Sequence, residues 1–104
     1  MRRGEIWWAN LPKPVGRRPV VLLSRDAAYS VRNAATIAEI TSTIRDIPVE
    51  VLLGPDEGLP KKCVVNLDTL MTIRQKRLDT KICVLSKNKM EDINEAIKFA
   101  LNLP

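Results

Sequence analysis

The stretch Arg17-Arg18-Pro19-Val20-Val21-Leu22-Leu23-Ser24 decides how the fold is read. Four consecutive aliphatic residues form the pattern of a strand buried on both faces, since a half-exposed strand would alternate with polar residues. Two guanidinium groups stand at its entrance. Pro19 fixes its own φ and steers Arg18 toward extended backbone, so that cation is carried by a rigid element. Two readings of Arg18 stand at this point: a charge that blunts a sheet edge, or a fixed cation for an anionic ligand.

Working outward, residues 4–10 (G-E-I-W-W-A-N) carry the branched and aromatic side chains of a first strand, closed by a loop holding Pro12 and Pro14. Strand alternation sets Ile6 and Trp8 on one face and Glu5 and Trp7 on the other. One tryptophan is therefore expected in the core and the other half-exposed, packing in a core or dimer interface or stacking on a base. Residues 25–33 read as a turn or short helix. A third strand is expected over 34–42 and a fourth over 47–53, with 43–46 short enough to join them as a hairpin. Thr41 and Ser42 then lie at a strand end, where only one of the two hydroxyls enters a given cleft directly.

The clearest loop is 54–60 (G-P-D-E-G-L-P), followed by an apolar strand from Cys63 to Leu67. Asn66 and Asp68 are two residues apart and so share a strand face, either as an acid/base or ligand-orienting pair or as a structural network with Arg18. Arg74, Lys76 and Arg77 crowd a strand end or turn, a placement that suits phosphates or plain solvation. A last strand over 81–85 leads to Ser86 as N-cap of a helix over 87–103. Met90, Ile93, Ile97 and Leu101 line one helical face, and Glu91 and Asp92 come early, where the dipole favours negative charge. That face is expected to cover an open end or face of the sheet.

Composition bounds the function. With 104 residues, 45% of them hydrophobic, the chain has the size of one domain around one core. No window approaches the roughly 20 apolar residues of a membrane helix, and residues 1–4 run straight into a strand pattern, so a cytoplasmic protein with no membrane partner is expected. Cys63 and Cys83 sit inside apolar runs and read as free, buried thiols. Seventeen Lys and Arg against twelve Asp and Glu give a net charge of +5, suited to an anionic partner. The absence of histidine and of any metal-ligand spacing argues against a zinc site, a Ser-His-Asp triad or a Cys-His nucleophile. With four glycines and no G-x-G-x-x-G or Walker pattern, there is no visible cradle for a nucleotide cofactor either.

In order along the chain, R-R-G-E-I-W at the start, R-R-P-V-V-L-L-S, I-T-S at 40–42, V-V-N-L-D at 64–68, T-I-R-Q-K-R-L at 72–78 and the tail from Leu85 resemble the MazF/PemK (Kid) family of toxins. The resemblance implies an α+β, mostly β fold: a small SH3-like, twisted antiparallel barrel with a C-terminal helix. It also implies a homodimeric, metal-independent endoribonuclease of a toxin–antitoxin system, needing no cofactor and cutting single-stranded RNA at a short motif. Its implied protein partner is a cognate antitoxin with an acidic tail. Position by position, the family's catalytic arginine falls on Arg18, its hydroxyl pair on Thr41 and Ser42, and its acidic residue on Asp68. Arg18, Thr41 and Asp68 are thus the implied catalytic set, with Arg17, Ser42, Arg45, Asn66 and Arg74 as implied RNA contacts. The chain departs from the family in carrying Asn66 and Met71 where relatives carry arginines. Its 12–16 loop is also short and lacks the histidine that some relatives have there.

These residue types suit the chemistry. Cleaving RNA through its own 2′-hydroxyl requires a proton acceptor, a cation for the charge developing on phosphorus, and protonation of the leaving 5′-oxygen. Arg18 offers a planar fork of donors that stays charged at any working pH. Thr41 offers a second donor to the same phosphate, and Asp68 a base or an orienter of Arg18. Two other classes remain: a non-catalytic toxin or RNA binder on the same fold, as in gyrase inhibitors, and an unrelated SH3-like peptide-binding module.

Overall fold

The computed structural model describes all 104 residues. Val20, Val21 and Leu22 are each fully buried, and they are buried in alternate directions. Val21 packs with Leu23, Ile6, Ala38 and Ile40 on one face. Val20 and Leu22 pack with Ala9, Ile37 and Ile73 on the other. The double-sided strand expected from the unbroken aliphatic run is therefore the interior of a sheet with an apolar layer on each face.

The strands are β1 (Glu5–Asn10), β2 (Arg17–Leu22), β3 (Ala34–Thr41), β4 (Glu50–Leu53), β5 (Cys63–Arg74) and β6 (Leu78–Val84), with helices α1 (Ala28–Val31) and α2 (Lys87–Leu101). They form one six-stranded sheet in the order β4-β5-β3-β2-β1-β6, and every neighbouring pair is antiparallel. The sheet curls as a half-barrel and stays open between β4 and β6. Three sequence expectations are corrected here. The third and fourth strands do not pair as a hairpin, because β5 inserts between them. The apolar strand expected from Cys63 to Leu67 is longer, running twelve residues to Arg74, so that Arg74 ends β5 and Lys76 and Arg77 follow in the turn, where cations were expected. Neither tryptophan is fully buried: Trp7 donates to the Glu5 carboxylate at 2.9 Å, and Trp8 lies beneath the Arg17 guanidinium.

Ser86 caps α2 as expected, accepting the Lys89 amide at 3.2 Å. The chain leaves the helix through Asn102 in the left-handed conformation, a residue type that tolerates it. Ile93 and Ala96 are buried against the first apolar layer, with Met90 and Ile97 beside them. Leu101, expected on that face, is 53% exposed because the helix has run past the sheet. Glu91 and Asp92 fall in the second turn, too far along for much dipole stabilisation. Two cations fasten the helix to the sheet. The Arg3 guanidinium bridges the Leu23 carbonyl and Asn94 Oδ1, and Lys89 Nζ donates to the Leu52 carbonyl at 2.7 Å. Gly4 makes room for the same helix: at φ +92°, a Cβ there would meet Met90 Sδ at 3.1 Å. No helix is long and apolar enough to cross a membrane.

Glu5 is a buried carboxylate at the β1–β6 seam, 3.3 Å from Lys81 Nζ. Burial pushes its pKa up, but the Trp7 indole, the Arg2 backbone and Lys81 together hold it below the ordinary value. Because the folded pKa lies below the unfolded one, its contribution is complete above the usual glutamate range and is lost as the pH falls through the folded value. Glu5→Gln should therefore narrow the difference between urea midpoints measured at pH 7 and pH 3, and an unchanged difference would refute that role. Ile93→Ala, which empties a fully buried site between α2 and the sheet, should cost about 2–5 kcal/mol in the same denaturation assay.

Candidate active site

The cleft opens where β2 and β3 stop pairing. The β1–β2 ladder continues down to Asn10 opposite Arg17, whereas the β2–β3 ladder ends at Val20 opposite Glu39. Pro19 supplies the reason. It faces Trp8 across β1 and has no N–H to give, so that pair is a non-hydrogen-bonded one and the missing donor points toward β3. Beyond Val20 the two strands separate, with Arg18 on one bank and Thr41 on the other.

Residues opposite each other across antiparallel strands share a face, so extending the Val20–Glu39 register by two sets Arg18, Glu39 and Thr41 on one side. Pro19, Ile40 and Ser42 lie on the other, with Trp8. Each side holds a cavity. One, of about 300 Å³, is lined by Trp8, Pro19, Ser42, Lys61 and Cys63. The other, of about 290 Å³, has no hydrophobic lining residue and is formed by Glu39, Thr43, Arg45, Asn66 and Thr69. Arg18 and Thr41 line both and form the ridge between them.

The polar cavity is built by a bulge in β5. Ala38 pairs with Leu70 and Ile40 with Val65, so four residues of β5, 66–69, stand opposite Glu39 alone. Thr69 Oγ1 ties the bulge down, donating to the Asn66 carbonyl at 2.7 Å and accepting the Glu39 amide at 3.3 Å. Asn66 is 9% exposed; its Oδ1 accepts the Asp68 amide at 2.8 Å, which leaves its NH₂ donors for a ligand. Thr41 Oγ1 accepts the Thr43 amide at 3.2 Å, which leaves its hydroxyl proton to donate. Arg45 is placed by the Glu50 carboxylate, which accepts the amides of Arg45 at 3.0 Å and Asp46 at 2.9 Å. The side chains of Arg18, Arg45 and Glu39 make no hydrogen bond or ion pair within the chain.

Of the residues singled out in the sequence, the structure brings Arg18, Thr41, Ser42, Arg45 and Asn66 to this cleft. Arg17 also borders it, but its charge is engaged: Nε and Nη2 donate to Asp79 at 3.2 and 3.1 Å, and the guanidinium lies 4.5 Å from the Trp8 ring centroid. Arg17, followed by Thr80, holds the Asp79 carboxyl below its ordinary pKa. Asp68 is exposed and lines neither cavity. Arg74 pairs with Ala34, seven residues along β3 from Thr41, or about 23 Å at strand rise. Glu39 and Lys61 line the cleft without having been singled out. Glu39 was discoverable, since the alternation in A-T-I-A-E-I-T sets it two residues before Thr41 on the same face. No group of three or more Cys, Asp or Glu side chains gathers to hold a metal ion.

Comparison with known proteins gives the family and agrees with the fold. Residues 2–101 match the family model described as PemK-like, MazF-like toxin of type II toxin-antitoxin system. The chain is 38% identical over 101 residues to a probable endoribonuclease MazF5 of Mycobacterium tuberculosis, covering 96% of this chain and 92% of that protein. It is 34% identical over 112 residues to an endoribonuclease MazF of Staphylococcus saprophyticus, covering 99% and 92%. The fold superposes on the M. tuberculosis toxin MazF-mt6 with a TM-score of 0.90 at 31% identity, over 96% of this chain and 98% of that one. It superposes with a TM-score of 0.88 at 27% identity on a mycobacterial endoribonuclease solved with its cognate antitoxin, over 100% and 97%. A chain matched from end to end in this way, with its free arginine and threonine at the mouth of the split sheet, belongs to the PemK-like, MazF-like toxin family of type II toxin–antitoxin systems.

Proposed function

We propose that the protein is the RNA-cleaving toxin of a toxin–antitoxin pair, and that it cuts single-stranded RNA at the ridge between the two cavities. The observation that carries this reading is the pairing of an uncommitted Arg18 guanidinium with a Thr41 hydroxyl whose proton is free, across a gap that backbone geometry holds open. Two such donors clamp the non-bridging oxygens of one phosphate and stabilise the charge that grows when the adjacent 2′-hydroxyl attacks phosphorus. The products are a 2′,3′-cyclic phosphate and a free 5′-hydroxyl. Lys61 and Arg45 extend positive charge to either side, toward flanking phosphates.

Base recognition falls to Ser42, beside Trp8, and to the Asn66 amide, which reads an unstacked edge from the polar cavity. Arg17 contributes as a stacked, partly neutralised guide rather than as a free cation. Arg74 serves only an RNA that follows β5 along its length. The protein works in the cytoplasm as a homodimer, and a cognate antitoxin with an acidic tail competes for the same basic cleft. The mycobacterial relative solved with its antitoxin supports such a partner.

Incubating the purified protein with a long mixed-sequence RNA in EDTA should give defined fragments ending in 2′,3′-cyclic phosphate; intact RNA would refute the reading. Arg18→Ala should lower cleavage by at least about 10²–10³-fold with an unchanged melting temperature. Binding to an uncleavable 2′-deoxy oligomer should weaken with salt at a slope of about −0.7 per phosphate held. Arg45→Ala should reduce that slope by about 0.7, and a slope near zero would point instead to a peptide-binding module.

A further inference from the structure

We infer that Glu39 is the general base of the cleft, taking the proton from the attacking 2′-hydroxyl of the RNA. The inference rests on the function proposed above and assigns a part of the reaction that Arg18 and Thr41 cannot perform. A guanidinium stays protonated at any working pH, and a threonine hydroxyl is a poor proton acceptor, so neither can receive the proton.

The carboxylates near the ridge can be taken in turn. Glu50 is spent on the amides of Arg45 and Asp46. Glu57 accepts the Gly54 amide at 2.7 Å, and Asp79 is bound by Arg17. Asp68 is exposed and lines neither cavity. Glu39 alone lines the cavity that Arg18 and Thr41 border, is half-buried, and carries no hydrogen bond or ion pair on its carboxylate. Its position is rigid. It sits near the end of β3 between two paired strands, and its amide is anchored to Thr69 Oγ1.

The spacing fits the chemistry. Glu39 and Thr41 are two residues apart on one strand face, about 6.6 Å along the strand, so a phosphate held at Thr41 brings the adjoining ribose toward the Glu39 carboxylate. A Glu39 carboxylate oxygen takes the proton as the 2′-oxygen bonds to phosphorus. The phosphorus–O5′ bond breaks, and the leaving 5′-oxygen takes a proton from water. Glu39 then returns its proton to solvent. An unpaired carboxylate here repels the RNA phosphates in the ground state, a burden on binding that a base role explains.

The test begins with wild-type protein and long mixed-sequence RNA in EDTA, from which a cleavage site is mapped. An oligomer spanning that site serves for kinetics, and its 2′-deoxy counterpart serves for binding. Glu39→Gln should lower kcat by about 10²–10⁴-fold and bind the 2′-deoxy oligomer as tightly as wild type or tighter. It should also lose the decline in rate that wild type shows as the pH falls and the base is protonated. Glu39→Asp, which keeps a carboxylate, should recover part of the rate and the acid decline. Glu39→Gln cleaving at the wild-type rate, or Glu39→Asp folding normally yet no more active than Glu39→Gln, would overturn the assignment. If wild type and Glu39→Gln both cleave normally while Arg18→Ala does not, the base assignment fails and the proposed function stands. If wild type leaves the RNA intact, the function itself fails.

Discussion

The site depends on a contradiction built into β2. Val20 to Leu23 must be buried on both faces, which forces the strand into the middle of the sheet, yet Pro19 immediately before them cannot complete a ladder on both sides. The chain satisfies both demands by keeping the β1 ladder through Pro19 and abandoning the β3 ladder there. The gap that results lies between two paired strands and begins one residue after Arg18. Apolar burial on each side of the sheet holds that gap open, so the cost of separating two strands is offset by the core and not by the site.

A second departure from regular pairing completes the cleft. An unbroken β3–β5 register would have set Asn66 directly across from Glu39, filling the space that is now a cavity. The bulge of residues 66–69 pushes β5 outward by three residues relative to β3, and Thr69 closes the two loose backbone groups that this creates. Asn66 stays buried against its other neighbour, Glu50 on β4, with its amide donors free. The two irregularities act on opposite edges of β3, and the cavity-lining residues of β3, Glu39 and Thr41, lie between them. A regular strand is thus the fixed reference, and its two neighbours yield around it.

What the sequence made legible follows from the range of the forces involved. The double-sided β2, the Ser86 cap and the apolar face of α2 as far as Ile97 are set by neighbours within a few residues, and these are where the pattern puts them. The order of strands is not local. Residues 43–46 are short enough for a hairpin, but the eight residues of β3 find seven partners on the twelve-residue β5, more than the four residues of β4 can offer, so β5 takes the place beside β3. For the same reason some of the residues singled out in the sequence reach the cleft and others do not. Arg18 and Thr41 sit on regular strands, where alternation holds. Asp68 sits inside the bulge, where a period of two no longer reports the position of a side chain in the cleft.

The doublet Arg17-Arg18 illustrates how a fold divides labour between identical neighbours. Adjacent strand residues face opposite ways, so one guanidinium had to meet the Trp8 and Asp79 side of the sheet and the other the polar cavity. Asp79 neutralises the first, and the indole ring covers it; a cation so paired gains little by exchanging its carboxylate for a phosphate. Arg18 has no such partner. Its charge is held in place by Pro19 and makes no ion pair, beside a cavity lined only by polar and charged side chains. Two like residues, one step apart, thereby acquire different settings: Arg17 steadies the wall of the cleft, and Arg18 is left free within it, as its proposed role requires.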